Sequence, residues 1–302
     1  MQIIEKFIDY GRMVKFSHSL FALPFAGLAA ILAFLESDLM LRDIIRLSVL
    51  IIVAMISARS AAMGFNRYID SEMDEKNPRT SDREIPKGKI SPASVLFFIG
   101  LSSFVFLFSS YLINMLCFVL AFPVLFILFF YSLAKRFTLL CHFILGIAIS
   151  LAPLGAWIAI REEFDWIPML FSLGLFLHIA GFDILYAIQD MDFDKSANLH
   201  SIPARLGETN SYRLAIASHI ISLAFFVFAG YVAMLGWIYY LSLAVVVLLL
   251  IEEHKISHDY AKRLLPPRFY QINSFISLII FLGILIDRWS EVLNKLELLV
   301  RL

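Results

Sequence analysis

Residues 93–132 read ASVLFFIGLSSFVFLFSSYLINMLCFVLAFPVLFILFFYS, forty positions without one Asp, Glu, Lys or Arg. A helix rises about 1.5 Å per residue and needs about 20 apolar residues to cross the hydrocarbon layer of a bilayer. The stretch is therefore long enough to cross twice, with the reversal near Asn114. An uncharged run of this length points to lipid, not water, as the solvent of the folded chain.

The same pattern recurs on either side. Apolar runs predict helices at about 16–35, 44–69, 93–112, 114–132, 138–160, 167–190, 212–234, 237–251 and 272–289, with the divisions at Asn114 and Gly236 the narrowest. Composition agrees, since 60% of the 302 residues are hydrophobic and 17% charged, where soluble domains run at about 45–50% and 25%. The expected fold class is an all-α integral membrane protein, a bundle of about nine transmembrane helices around a central cavity, forming a single domain over residues 1–302. Charges up to Lys15 followed by the apolar run Phe16–Leu35 have the look of a secretory signal. The run is too long and lacks a small-residue cleavage site, so it is expected to stay as the first helix. Cys117 and Cys141 sit in apolar runs without ligand spacing and read as small core hydrophobes.

Lys plus Arg (25) balances Asp plus Glu (25), which gives no case for a nucleic-acid partner. The placement of the charges is more informative. With the N-terminus inside, the basic residues of 76–89, 135–136, 195–213 and 255–268 all fall on one side, leaving Arg42, Arg46, Arg161, Arg288, Lys295 and Arg301 outside. That is the positive-inside bias, and it assigns every long polar loop to the cytoplasmic face, where chemistry is to be sought.

Two carboxylate clusters lie at helix ends on that face. In the first, Asn66, Asp70 and Asp74 recur at i, i+4 and i+8 and share one helical stripe. In the second, Asp183, Tyr186, Asp190 and Asp194 share a face if the helix continues, and Asp192 points away. Each cluster is followed by a basic, Pro-containing loop, which suggests two similar halves. Oxygen-only donors beside basic loops suit Mg²⁺, which binds through one or two carboxylates and the oxygens of a phosphate substrate. Arg59, about two turns before Asn66 inside an apolar span, is a functional candidate because an intramembrane charge is expensive to bury. It would hold a carboxylate in a bidentate fork or pair structurally with Asp183.

These residues carry a resemblance. The run Asn66, Asp70, Asp74 resembles the NDxxDxxxD motif of the UbiA superfamily of intramembrane prenyltransferases, with Arg67 standing where many members have Asp. Asp183, Tyr186, Ala187, Asp190 and Asp194 are similar to its DxxYAxxDxxxD motif, and Tyr131 to Lys135 to its YxxxK motif. The resemblance implies Mg²⁺-dependent transfer of a prenyl group from a polyprenyl diphosphate to a hydroxyaryl carboxylate in quinone biosynthesis. It makes Asn66, Asp70, Asp74, Asp190 and Asp194 the expected metal ligands. Lys135, Arg79 and Arg83 are expected to hold diphosphate oxygens, with Tyr131 adding a hydroxyl. Arg59, Lys15 and His18 are candidates for the acceptor, Tyr186 for the substrate, and Asp183 for orienting or deprotonating it. Phe-rich runs such as 104–108 and 118–130 are candidates for a prenyl tunnel, although most of their rings are expected to face lipid. Of possible acceptors, 4-hydroxybenzoate ranks ahead of 1,4-dihydroxy-6-naphthoate on the menaquinone route. The expected location is the bacterial inner membrane, with the active site toward the cytoplasm. The rival of another class is a cation-coupled transporter, whose site would lie nearer the midplane.

Overall fold

The computed structural model describes residues 9–14, 22–260 and 263–301, so the expectations for Lys15 and His18 lie outside the described residues. The described chain is helical. In order, the helices are α1 (Leu23–Leu35), α2 (Leu41–Ile69), α3 (Ser71–Lys76), α4 (Pro92–Ile113), α5 (Met115–Ala134), α6 (Cys141–Arg161) and α7 (Trp166–Ala187). A 3₁₀ turn (Ile188–Asp190) then leads to α8 (Met191–Ser196), α9 (Ile202–Val232), α10 (Trp237–Asp259), α11 (Pro267–Asp287) and α12 (Trp289–Arg301). Eight helices among the described residues are long and apolar enough to cross a bilayer, and α1, with thirteen residues, is a shorter apolar one. The chain is an all-α multi-pass membrane protein.

Both narrow divisions are real. Asn114 is extended, and its side-chain oxygen accepts from Cys117 N–H at 2.7 Å, so it ends α4 and caps α5. Gly236 is extended before α10, and its N–H donates to Asp287 Oδ2 at 2.7 Å. Other starts follow from side-chain caps. Ser91 with Pro92 opens α4, Asp165 opens α7, and Ser201 with Pro203 opens α9 ten residues before the apolar run at 212.

The contacts divide the chain into two compact units, Met1–Ser19 with Leu50–Ala134, and Leu20–Val49 with Lys135–Leu302. In the first, α4 packs on α5, and Val95, Ile99 and Ile90 bury against Met13 and Val14. Its outward rings Phe97, Phe104, Phe108, Phe122 and Phe126 are more than half exposed, as lipid-facing residues would be. In the second, α7 packs against both α6 and α9. Small residues permit that close approach. A Cβ on Gly146 would stand 2.5 Å from Phe176 O, and one on Gly174 would stand 2.4 Å from the Phe226 ring. Ser222 Oγ uses the space by donating to Gly174 O at 2.6 Å. The result is a largely buried α7 that leads into the second carboxylate cluster.

Candidate active site

Neither carboxylate cluster lies on one uninterrupted helix, which corrects the continuous stripes read from periodicity. In the first unit α2 stops at Ile69, and Asp70 takes a turn conformation (φ −90°, ψ 1°) before α3. In the second unit α7 gives way to the 3₁₀ turn, and Asp190 takes almost the same conformation (φ −98°, ψ 3°) before α8. Each short helix has six residues, with an Asp four positions after the turning Asp. That second carboxylate, Asp74 or Asp194, is buried in both cases. The two turns are thus matched down to backbone angles.

The break at Asp70 bends the stripe without dispersing it. Asp70 N–H still reaches Asn66 O at 3.0 Å, and Asp74 N–H reaches Asp70 O at 2.7 Å, so the helical bonding pattern runs through the turn. Asn66 Nδ2 donates to Asp70 Oδ2 at 2.9 Å. Arg67 is buried, and it donates to Met13 O at 3.3 Å and to Asn66 Oδ1 at 3.5 Å. Arg67 therefore orients the Asn66 amide, since a donor on the oxygen turns the nitrogen toward Asp70. Asp74 is held differently: Arg83 Nη1 lies 2.6 Å from both of its oxygens, and Thr80 donates to its carbonyl at 3.1 Å. Arg83, expected on the diphosphate, is here the counter-charge of a ligand candidate. Arg79 is half-buried at the start of the same loop, its N–H donating to Asn77 Oδ1 at 2.9 Å.

Arg59 and Tyr131 belong to the same unit and lie within electrostatic range of each other, and Tyr131 is likewise within range of Arg67 and Asp70. The Tyr131 hydroxyl is 3.9 Å from Met63 Sδ. The structure thus gathers Arg59, Asn66, Asp70 and Tyr131, four residues singled out from the sequence.

In the second unit Lys135 Nζ lies 2.7 Å from Asp194 Oδ1, and Ser201 Oγ donates to Asp194 Oδ2 at 2.7 Å. Asp194 is fully buried. Burial by itself would favour loss of the Lys135 proton, but the Asp194 carboxylate outweighs it and holds the ammonium above the ordinary lysine range. Asp190, also buried, adds to that field. Asp192 is exposed, as its place between the two inward residues requires. Tyr186 joins an aromatic group, stacked on Phe182 and edge-on to Tyr270. Asp183 Oδ2 is 2.6 Å from His142 Nδ1 on α6. His142, Ser201 and Tyr270 were not singled out from the sequence. His142 carried the one available signal, an imidazole at the start of an apolar span seven residues after Lys135.

The donors fit Mg²⁺. Both motifs offer oxygen only, and among the described residues no three His, Cys, Asp or Glu side chains gather to hold an ion by themselves. A metal that completes its shell with water and phosphate oxygens suits such a donor set.

The model of the UbiA prenyltransferase family matches residues 21–279. A 4-hydroxybenzoate octaprenyltransferase of Vibrio campbellii is 29% identical over 235 residues, covering 76% of this chain and 81% of that protein. Among solved structures, the apo UbiA homologue from Aeropyrum pernix K1 is 30% identical with a TM-score of 0.79, over 90% of this chain and 98% of its own. A UbiA homologue from Archaeoglobus fulgidus bound to DMAPP and Mg²⁺ shares the fold, with a TM-score of 0.69 at 18% identity, over 92% of this chain and 98% of its own.

Proposed function

The chain belongs to the UbiA prenyltransferase family and is an aromatic prenyltransferase, and on that premise we propose that it transfers a polyprenyl group from its diphosphate to 4-hydroxybenzoate. The observation that carries the proposal is the repeated turn, an Asp at the bend and a buried, cation-paired Asp four residues later, at Asp70 and Asp74 and again at Asp190 and Asp194. Relatives named for 4-hydroxybenzoate supply the acceptor. Family membership replaces the transporter alternative.

In the proposed reaction the allylic C1–O bond breaks, diphosphate leaves with the electron pair, and C1 bonds to the ring carbon ortho to the hydroxyl, which then loses its proton. Asn66, Asp70, Asp190 and Asp194 would hold Mg²⁺, and bound Mg²⁺ would neutralise charge on the departing diphosphate. Lys135, an ammonium held in its charged form, faces the same anionic group, while Tyr131 offers a hydroxyl to it. Arg59 receives the acceptor carboxylate, and Asp183 takes the acceptor hydroxyl proton. The rings of Phe182, Tyr186 and Tyr270 offer π-faces to an allylic cation. The enzyme is proposed as one domain of the bacterial inner membrane, acting at the cytoplasmic face. Purified enzyme given Mg²⁺, a polyprenyl diphosphate and 4-hydroxybenzoate should release diphosphate and form the 3-prenylated acid. Diphosphate release that is independent of any aromatic acid would overturn the proposal.

Arg59→Leu should weaken prenylation of 4-hydroxybenzoate by about 10- to 100-fold more than that of phenol, because only the former loses a charge-assisted partner, worth about 1.5–3 kcal/mol. Steady-state rates on both acceptors check this, and equal losses would make Arg59 structural. Orientation is tested separately. A cysteine at Ser81, in the half-buried loop after α3, should resist an impermeant maleimide in intact spheroplasts and react in inverted vesicles. Labelling in spheroplasts would place that loop outside.

A further inference from the structure

Asp183 has a built support that the family resemblance did not supply. His142, 2% exposed, sits in the first turn of α6 and stands between two partners. Its Nδ1 is 2.6 Å from Asp183 Oδ2 on α7, and its Nε2 is 3.3 Å from the backbone N of Ile202, the first residue of α9. A backbone N–H can only donate, so Nε2 is the accepting nitrogen. Nδ1 then carries the imidazole proton and donates it to the carboxylate. The tautomer is fixed by geometry at both ends.

The same junction reaches the rest of the second motif. Ser201, which caps α9 by accepting from Ala204 N–H at 3.4 Å, donates to Asp194 Oδ2, and His200 N–H donates to Lys135 O at 2.8 Å. His142 therefore ties Asp183 to the helix start that also holds Asp194. The Asp183 side chain is 23% exposed, in contrast to the fully buried Asp194, and His142 engages its Oδ2. Oδ1 is then the oxygen left to meet substrate.

We propose that His142 is a positioning residue for the reaction: through Nδ1–H it holds Asp183 as an oriented carboxylate whose second oxygen takes the hydroxyl proton of the phenolic acceptor. The inference rests on the prenyl-transfer reading above. As C1 bonds to the ring, the hydroxyl proton passes to Asp183 Oδ1, leaving a cyclohexadienone. The proton on the substituted ring carbon then leaves to water, and Asp183 returns its proton to the oxygen, so the balance is one proton released with each diphosphate. His142 holds its own proton throughout.

The geometry dictates which replacement should work. A glutamine side chain can donate from nitrogen to Asp183 and accept the Ile202 N–H on oxygen, whereas leucine can do neither. In His142→Leu, kcat should fall about 10- to 100-fold, the usual range for losing a supporting partner of a reacting group. KM for the polyprenyl diphosphate should stay within about threefold, since Lys135 and the metal-binding carboxylates are untouched. His142→Gln should regain kcat to within about fivefold of wild type. A kcat within threefold of wild type in His142→Leu would overturn the proposal, as would His142→Gln failing as badly as His142→Leu while melting like wild type.

A second measurement does not depend on turnover. In histidine-selective ¹⁵N spectra of the enzyme in nanodiscs, the signal missing from His142→Gln should show a protonated Nδ1 and a bare Nε2, and should shift in Asp183→Asn. A bare Nδ1, or no response to Asp183→Asn, would overturn the assignment even if the acceptor proved to be another compound. Wild-type enzyme inactive on every hydroxyaryl acid, with that spectrum intact, would instead fault the prenyl-transfer reading.

Discussion

Asp70→Ala, Asp190→Ala and the double mutant are expected to show the same low prenyl transfer, each about a thousandfold below wild type. The proposal has both turns serving one diphosphate, and groups that stabilise one transition state together fail together, so the losses should be far from additive. Wild-type activity should fall to background in a chelator and return with Mg²⁺, while none of the three variants should be rescued. Asp192→Ala is the internal control. It lies between Asp190 and Asp194 in the chain but is exposed while both neighbours are buried, so its variant should keep most of its activity. Initial rates of acceptor prenylation against Mg²⁺ concentration decide the matter. A metal-independent wild type, a fully active Asp70→Ala or Asp190→Ala, or a double mutant whose loss is the product of the single losses would reject a shared diphosphate.

The helices and most of the candidate residues were legible in the sequence for a simple reason. An apolar run of about 20 residues has few fates, and a carboxylate or an Arg inside or beside one is conspicuous. The narrow divisions at Asn114 and Gly236 are legible too, because a side-chain cap or an extended glycine ends a helix by local chemistry. What could not be read was the local departure from periodicity. Asp70 and Asp190 sit at bends, and a 3.6-residue pattern carries on through a bend unnoticed when the i→i−4 bonds persist, as they do from Asp70 to Asn66.

Pairings across the fold were the second thing hidden. Arg83, expected on the diphosphate, pairs with Asp74; Asp183, the alternative partner for Arg59, has its carboxylate on His142. The partners are 9 and 41 residues apart, and no helical spacing rule connects either pair. Arg67 makes the point from the other direction. It stands where many members of the family have Asp, and the structure shows the side chain buried and bracing Asn66.

Lys135 and Asp194 present a pairing in which stability and chemistry should separate on mutation. Asp194 is fully buried, and its two oxygens meet Lys135 and Ser201. Lys135→Met removes the cation and leaves a buried carboxylate with one hydroxyl, a loss that typically costs about 3–5 kcal/mol. Thermal unfolding in detergent should show that variant melting well below wild type. The double change Lys135→Met with Asp194→Leu leaves no orphan charge, and apolar replacements for a buried ion pair are often neutral or better, so its melting temperature should recover. Prenyl transfer should not. Removing Lys135 together with Asp194, a carboxylate proposed to hold Mg²⁺, leaves the variant at least about a hundredfold slow however well it folds. Recovery of both stability and turnover in the double variant would show that the pair serves only the fold, and the diphosphate and its metal would then need other partners.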